Sequence, residues 1–338
     1  MGKFRQFIKD LYYHISPTYR SVRRVEEEIE DLYQKIEIQF QKQEMMYWWL
    51  QVRPGETLSE AKKRFFLEMP KAEGALRKVQ LGSNCILKSL KKVCEENHIT
   101  YWISFGTLLG AARHKGFIPW DDDIDISMLR TDFERLQDVL KGHNTLEIKP
   151  YYHNDGHWLL YKIIFKDLEP LFWVDITIWD FAELQPLGFE QTWEQVQKIR
   201  RQTFEEIDRS AVNFSKKYYS EPVVDNDAKI IYNIIKKNTA FLPLSQNSDF
   251  IYRSLDSVYL GDEKFLDRKD MFPLVPLEFE GELYPAPKNY EEILSNYNYL
   301  CLPTSLNPGH LNSCNRQKAE IDTCFNKLQS VQKFNEKF

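Results

Sequence analysis

Seven consecutive residues, Trp120-Asp121-Asp122-Asp123-Ile124-Asp125-Ile126, restrict what this chain can be more than any other stretch of its 338 residues. Read as a strand from Asp123 to Met128 with its approach, they send alternate side chains to opposite faces. Asp121, Asp123 and Asp125 then point one way, while Ile124 and Ile126 point into a core. Like charges at this spacing repel, and a strand that buries its other face cannot swing them apart, so the arrangement is costly unless a cation sits among them. An oxygen-only donor set suits a hard ion, which makes Mg²⁺ the expected occupant, with Mn²⁺ able to replace it.

A further carboxylate, Asp175, stands in the apolar run Trp173-Val174-Asp175-Ile176-Thr177-Ile178, where it shares a face with Thr177 and needs a partner. Upstream, Phe105-Gly106-Thr107 ends a strand read over Ile99 to Phe105 and opens a helix read over Leu108 to His114. Backbone donors at such a helix start suit a phosphate, so Gly106 and Thr107 are candidate phosphate contacts. Arg113, at the far end of that helix, is read either as a bidentate clamp on a phosphate oxygen or as a surface ion pair.

The rest of the chain sets limits. With 43% hydrophobic and 14% aromatic residues it can bury a substantial core. Its 45 basic and 50 acidic residues are mostly interleaved, which argues against nucleic acid as a partner. Five cysteines, Cys85, Cys94, Cys301, Cys314 and Cys324, show no paired spacing, so neither a disulfide framework nor a zinc knuckle is expected and a reducing compartment fits. No apolar run reaches the roughly 18 to 20 residues of a spanning helix, and Gln6 breaks the myristoylation pattern. The expected location is cytoplasmic, peripheral at the inner face of the plasma membrane.

That peripheral placement comes from the N-terminal arm, residues 1–53. Phe4, Phe7, Ile8, Leu11, Tyr12 and Ile15 fall at helical spacing beside Lys3, Arg5 and Lys9, an amphipathic pattern suited either to an anionic membrane surface or to packing on the protein body. Val22, Val25, Ile29, Leu32 and Ile36 then alternate at spacings of three and four, as in a coiled-coil seam through which copies can associate. A connector, 54–71, carries a helical pattern from Leu58 to Met69. A helix over Ala72 to Asn97 buries Leu76, Val79, Ile86, Leu87, Leu90 and Val93. Thr131-Asp132-Phe133-Glu134 has the form of a capping box. Strands are read at Leu146 to Tyr152, Trp158 to Phe165 and Leu171 to Trp179, which makes residues 72–188 an α/β (α+β) core with a mixed sheet flanked by helices. Residues 189–260 read as a helical segment and 261–338 as a C-terminal part of the same domain.

The run from Gly106 through Gly110-Ala111-Ala112-Arg113-His114-Lys115-Gly116-Phe117-Ile118-Pro119 to Ile126 resembles the signature of the LicD family, bacterial phosphotransferases related to fukutin and fukutin-related protein. The likeness covers about Ala72 to Asp180 and Asp270 to His310, including Phe272-Pro273-Leu274 and Leu283-Tyr284-Pro285-Ala286-Pro287. It implies a nucleotidyltransferase-type fold and transfer of an alcohol phosphate, such as phosphocholine or ribitol phosphate, from a CDP-linked donor to a glycan or lipid-linked glycan hydroxyl, with release of CMP. By motif position Asp123 and Asp125 are the paired metal ligands and Asp175 the third acidic residue, completing the metal site or accepting the acceptor's proton, with Asp121 second choice as ligand or base. Lys162 joins Gly106, Thr107 and Arg113 as a candidate contact to the donor phosphates. His114 and His157 are read as phosphate or packing contacts before nucleophiles, and His310 as a solvated loop residue. Two rival readings stay open: nucleotidyl transfer with release of pyrophosphate, and a non-catalytic, membrane-associated scaffold.

Overall fold

The computed structural model describes residues 17–153, 158–168, 170–182, 188–212, 222–223, 225–242, 248–256, 265–295, 300–301, 314 and 316–335. The pattern at Phe4 to Ile15 and the histidines His157 and His310 lie outside the described residues. The chain divides into two compact units, Met1–Phe65 and Phe66–Phe338.

In the first unit, α1 (Pro17–Gln51) is one continuous helix, followed by the start of α2 (Leu58–Leu67). Trp48 fixes the turn between them. It is buried, packs edge-on against Phe65 at 5.2 Å, and has the Lys62 ammonium 5.0 Å above its ring. Thr57 and Glu60 form a reciprocal capping box at the start of α2: the Thr57 amide donates to the Glu60 carboxylate at 2.8 Å, and the Glu60 amide to the Thr57 hydroxyl at 3.2 Å.

The second unit is built on a seven-stranded mixed sheet. β1 (Trp102–Ile103) is antiparallel to β2 (Asp125–Leu129), and β2 runs parallel to β5 (Val174–Ala182). On its other edge β5 pairs first with β4 (Trp158–Phe165), which pairs with β3 (Leu146–His153), and then with β6 (Phe250–Arg253). β7 (Leu266–Asp267) extends the sheet beyond β6. The central pair β2 and β5 is largely buried, which is why both read as mostly apolar runs. α3 (Gly74–Glu96) lays its apolar stripe, Leu76 to Val93, into the core as its periodicity requires. α4 (Phe105–His114), α5 (Arg130–Lys141), α6 (Phe189–Asp208) and α7 (Asp225–Thr239) complete the helical layers, with the Tyr152 ring stacked on Phe204.

α8 (Arg268–Met271) leads into a hairpin, β8 (Val275–Phe279) and β9 (Glu282–Ala286), and α9 (Tyr290–Ser295) and α10 (Lys318–Asn335) follow. The hairpin turns through Glu280 and Gly281, both at positive φ.

The architecture is the α/β class expected, with four local departures. The expected strand Ile99–Phe105 shortens to two residues, because Phe105 adopts a φ of 44° and turns the chain straight into α4. β2 begins at Asp125, leaving Asp121 to Ile124 as a loop ahead of it. Thr131 does not cap α5; the helix starts one residue earlier, with Leu129 as its N-terminal boundary residue and no side-chain cap. The segment 189–260 is not wholly helical, since Phe250–Arg253 enters the main sheet as β6.

Candidate metal and active site

Asp125 opens β2 and stands directly beside Asp175 on the parallel neighbour β5. The Asp175 amide donates to the Ile124 carbonyl at 2.7 Å, so the two backbones are locked where the two carboxylates meet. Asp123 reaches the same point from the loop, and carboxylate oxygens of Asp123, Asp125 and Asp175 lie within 4.8 Å of one another. A second grouping, Asp121, Asp122 and Asp123, shares Asp123 with the first. Alternation along a strand accounts for the side-by-side carboxylates of Asp125 and Asp175. The loop, rather than a pleat, delivers Asp121 and Asp123.

Electrostatics at this point are unfavourable for a bare protein. Burial, then the charges of Asp123, Asp175 and Asp121, push the Asp125 carboxyl well above the ordinary range, against a hydrogen bond from the Gly106 amide. Burial likewise raises Asp175 to about 7, although Lys162 pulls it down. One Asp175 oxygen accepts from the Trp173 indole at 3.1 Å; the other, Oδ1, is buried with no hydrogen-bond partner among the described residues. An orphaned carboxylate oxygen facing two more carboxylates fits a hard divalent cation, whose ligands are oxygens and whose charge removes the repulsion. Asp123, Asp125 and Asp175 are the residues placed to hold one.

Gly106 and Thr107 both contact the aspartate strand. The Asp125 amide donates to the buried Thr107 hydroxyl at 2.7 Å, and the Gly106 amide serves the Asp125 carboxylate. A Cβ on Gly106 would come within 2.7 Å of an Asp121 carboxylate oxygen, so a larger residue there would displace that carboxylate. The first turn of α4 thus braces the aspartates. Arg113 is not on the surface, where an ordinary surface ion pair would place it. It is buried, with its guanidinium 4.4 Å over the Phe66 ring and its Nε donating to His114 Nε2 at 3.0 Å. Burial lowers it to about 10 against the charge of Asp121.

His114 is therefore a packing residue. Its Nε2 accepts from Arg113, which leaves Nδ1 to carry the proton and donate to the Phe66 carbonyl at 2.7 Å. Burial and the adjacent Arg113 charge depress it to about 4. With its lone pair occupied, it is not a nucleophile.

Lys162, on β4 opposite Asp175, holds its ammonium 3.8 Å from Asp175 Oδ1 and 3.8 Å from the centre of the Trp173 ring. The separation is too long for a strong hydrogen bond, so the cation neutralises charge at the site without being consumed by it.

Sequence reading missed a supporting chain of contacts. Glu280, at the hairpin turn, takes two hydrogen bonds from Arg77 at 2.7 and 3.1 Å and one from Lys71 at 3.0 Å. Arg77 also donates to the Gln80 side-chain oxygen Oε1 at 3.0 Å, and Gln80 Nε2 donates to the Asp121 backbone carbonyl at 2.8 Å. Burial opposes ionisation of Glu280, yet the Arg77 and Lys71 contacts outweigh it and hold the carboxyl below its usual range. The hairpin is tied to the aspartate loop by this chain, on residues more than 200 apart in sequence.

Comparison with known proteins agrees with this geometry. The model of the LicD/FKTN/FKRP nucleotidyltransferase domain matches residues 98–223, which span β1, the aspartate loop, β2 and β5. Residues 98–223 are a LicD-family domain. Lipopolysaccharide cholinephosphotransferase LicD of Haemophilus influenzae is 28% identical over 247 residues, 68% of this chain and 92% of that protein. Ribitol 5-phosphate transferase FKRP of Homo sapiens is 40% identical over 55 residues, 14% of this chain and 11% of its own length. An uncharacterized protein of Rickettsia prowazekii is 47% identical over 55 residues, 16% of this chain and 21% of that protein. The LicD domain contains every carboxylate of the two groupings and Lys162, while Glu280 and its hairpin fall after the matched residues.

Proposed function

We propose that this chain is a Mg²⁺-dependent transferase that moves a substituted phosphate, an alcohol phosphate such as phosphocholine or ribitol phosphate, from a CDP-linked donor to a hydroxyl of a cell-surface glycan. The observation that carries this reading is the convergence of Asp123, Asp125 and Asp175 to within 4.8 Å inside a LicD domain. The substrate class is supported by the two named relatives, one a cholinephosphotransferase acting on lipopolysaccharide and the other a ribitol 5-phosphate transferase.

In this reading Asp123, Asp125 and Asp175 would hold a Mg²⁺ ion, which when bound would supply positive charge against the donor phosphates. Trp173 fixes one Asp175 oxygen and thereby aims the other into the site. Lys162 neutralises charge that builds on the transferring phosphate. The acceptor hydroxyl attacks the phosphorus that bears the alcohol, the bond from that phosphorus to the bridging oxygen breaks, and CMP leaves. Asp121, partly exposed beside the three ligands, accepts the hydroxyl proton. Arg113, whose charge acts on Asp121, would add to the positive charge available to the donor phosphates.

The test is a screen of CDP-choline, CDP-ribitol and CDP-glycerol for Mg²⁺-dependent release of CMP, with a glycan extract as acceptor. CMP release that requires Mg²⁺ and is lost in Asp125→Asn supports the reading. Pyrophosphate released from a nucleoside triphosphate, with no CMP from any CDP-alcohol, would replace it with nucleotidyl transfer. An Asp123→Asn protein that stays folded while cells keep their modified surface glycan would point to a scaffold.

A further inference from the structure

The seam of α1 is exposed along its length. Val22, Val25, Ile29, Leu32 and Ile36 each keep between 43% and 57% of their surface accessible, at the alternating spacing of a heptad repeat. A helix with such a stripe is stabilised mainly by burying it, and at a rise of about 1.5 Å per residue the stripe from Val22 to Ile36 runs roughly 21 Å.

Charge decides what covers it. Over Pro17–Gln51 the sequence has seven acidic and five basic residues, so this helix is repelled by an anionic lipid surface rather than drawn to it. The same charges complement a second copy. With Val22, Ile29 and Ile36 at the a positions and Val25 and Leu32 at d, Glu28 and Lys35 occupy successive g positions at the edge of the seam. A parallel pair would bring Glu28 beside Tyr33 and Lys35 beside Phe40, with no charge matched. An antiparallel pair centred between Glu30 and Asp31 sets Ile29 against Leu32 and Val25 against Ile36, and sets Glu28 against Lys35 twice. Sliding that pair by half a heptad about its centre would oppose Lys35 to Lys35.

We propose that two copies of this chain associate through the Val22–Gln39 stretch of α1 as an antiparallel two-stranded coiled coil, Glu28 of each copy paired with Lys35 of the other. Within one helix Glu28 already accepts from Arg24 at 2.9 Å and Lys35 donates to Asp31 at 2.6 Å. Both are solvent-exposed contacts of a few tenths of a kcal/mol. A carboxylate with two oxygens and an ammonium with three donors can serve both partners.

Light scattering of the full-length chain at micromolar concentration should give twice the 40.4 kDa of the monomer. Glu28→Lys and Lys35→Glu should each weaken the dimer roughly tenfold, and the double swap should restore it, since both sites are exposed and the fold is untouched. Under oxidation Val22→Cys with Gln39→Cys should crosslink into dimers, whereas Val22→Cys alone should not, because the two Val22 side chains would lie roughly 25 Å apart. A monomer at every concentration, a double swap that fails to recover the dimer, or self-crosslinking of Val22→Cys alone would overturn the proposal. So would a monomeric chain that binds phosphatidylglycerol vesicles and loses them on Leu32→Glu.

Discussion

At the scale of single residues, the aspartates cost the metal-free protein stability and repay it only when a cation is bound. Replacing Asp123 or Asp125 by Asn removes one charge from a group that burial and mutual repulsion already push upward. Each variant should lower transfer roughly a hundredfold or more. Each should also raise the unfolding midpoint of the metal-free protein by roughly 2 °C, an effect of about 1 kcal/mol. Calorimetry with and without Mg²⁺ checks this; a midpoint that falls in the metal-free variant would show the carboxylate to be structural. His114 makes an opposite pH prediction. Its folded value of about 4 lies below the ordinary 6.5, so the folded protein binds fewer protons than the unfolded chain in that window. The stability His114 contributes is present above pH 6.5 and is lost as pH falls toward 4, by up to about 3 kcal/mol. His114→Asn keeps a donor for the Phe66 carbonyl and cannot be protonated. Its denaturant midpoint should vary less between pH 6.5 and 4 than that of the parent chain, and an unchanged pH slope would remove His114 as the cause.

At the scale of elements, the site is a strand pair held between a helix start and a hairpin. Thr107→Val deletes the buried acceptor of the Asp125 amide and should cost about 1 to 3 kcal/mol. Glu280→Ala should cost about 3 kcal/mol, because it strips Arg77 of a buried partner and slackens the link through Gln80 to the Asp121 carbonyl. If Glu280→Ala loses stability but turns over donor at the parent rate, the hairpin stabilises the fold without positioning the aspartate loop. How far the sequence discloses these elements depends on the reach of their contacts. The aspartate run and the apolar stretch around Asp175 are local signals that pick out the side chains the fold brings together, although a loop and not the expected period-2 strand delivers Asp123. Where β2 begins is not local: it is decided by Thr107, 18 residues earlier, taking the Asp125 amide. β6 is four residues long, too short to show a clear period. Glu280 gives no signal of its own, since its partners Arg77 and Lys71 lie 203 and 209 residues away.

At the scale of the whole molecule, the division at Phe65 assigns α1 and the LicD domain to different compact units. Among the described residues no helix is long and apolar enough to cross a membrane. Attachment to a lipid-linked acceptor would then fall to the arm ahead of α1. In the sequence Phe4, Phe7, Ile8, Leu11 and Ile15 recur at helical spacing, with Lys3, Arg5 and Lys9 beside them and Asp10 the one acidic residue before Pro17. Each basic residue at an anionic surface contributes about 1 kcal/mol, enough in sum for peripheral binding that weakens as salt is raised. Deleting the residues before Val22 should therefore move the protein from the membrane fraction to the supernatant. It should leave transfer to a small soluble acceptor nearly unchanged, because the carboxylates, Trp173 and Lys162 all belong to the second unit. Flotation with phosphatidylglycerol vesicles over a salt series, run beside CMP release, measures both. A truncated chain that still floats, or a full-length chain that never does, would mean that the arm packs on protein and that the acceptor reaches the LicD domain without a membrane-docking helix to hold the enzyme there.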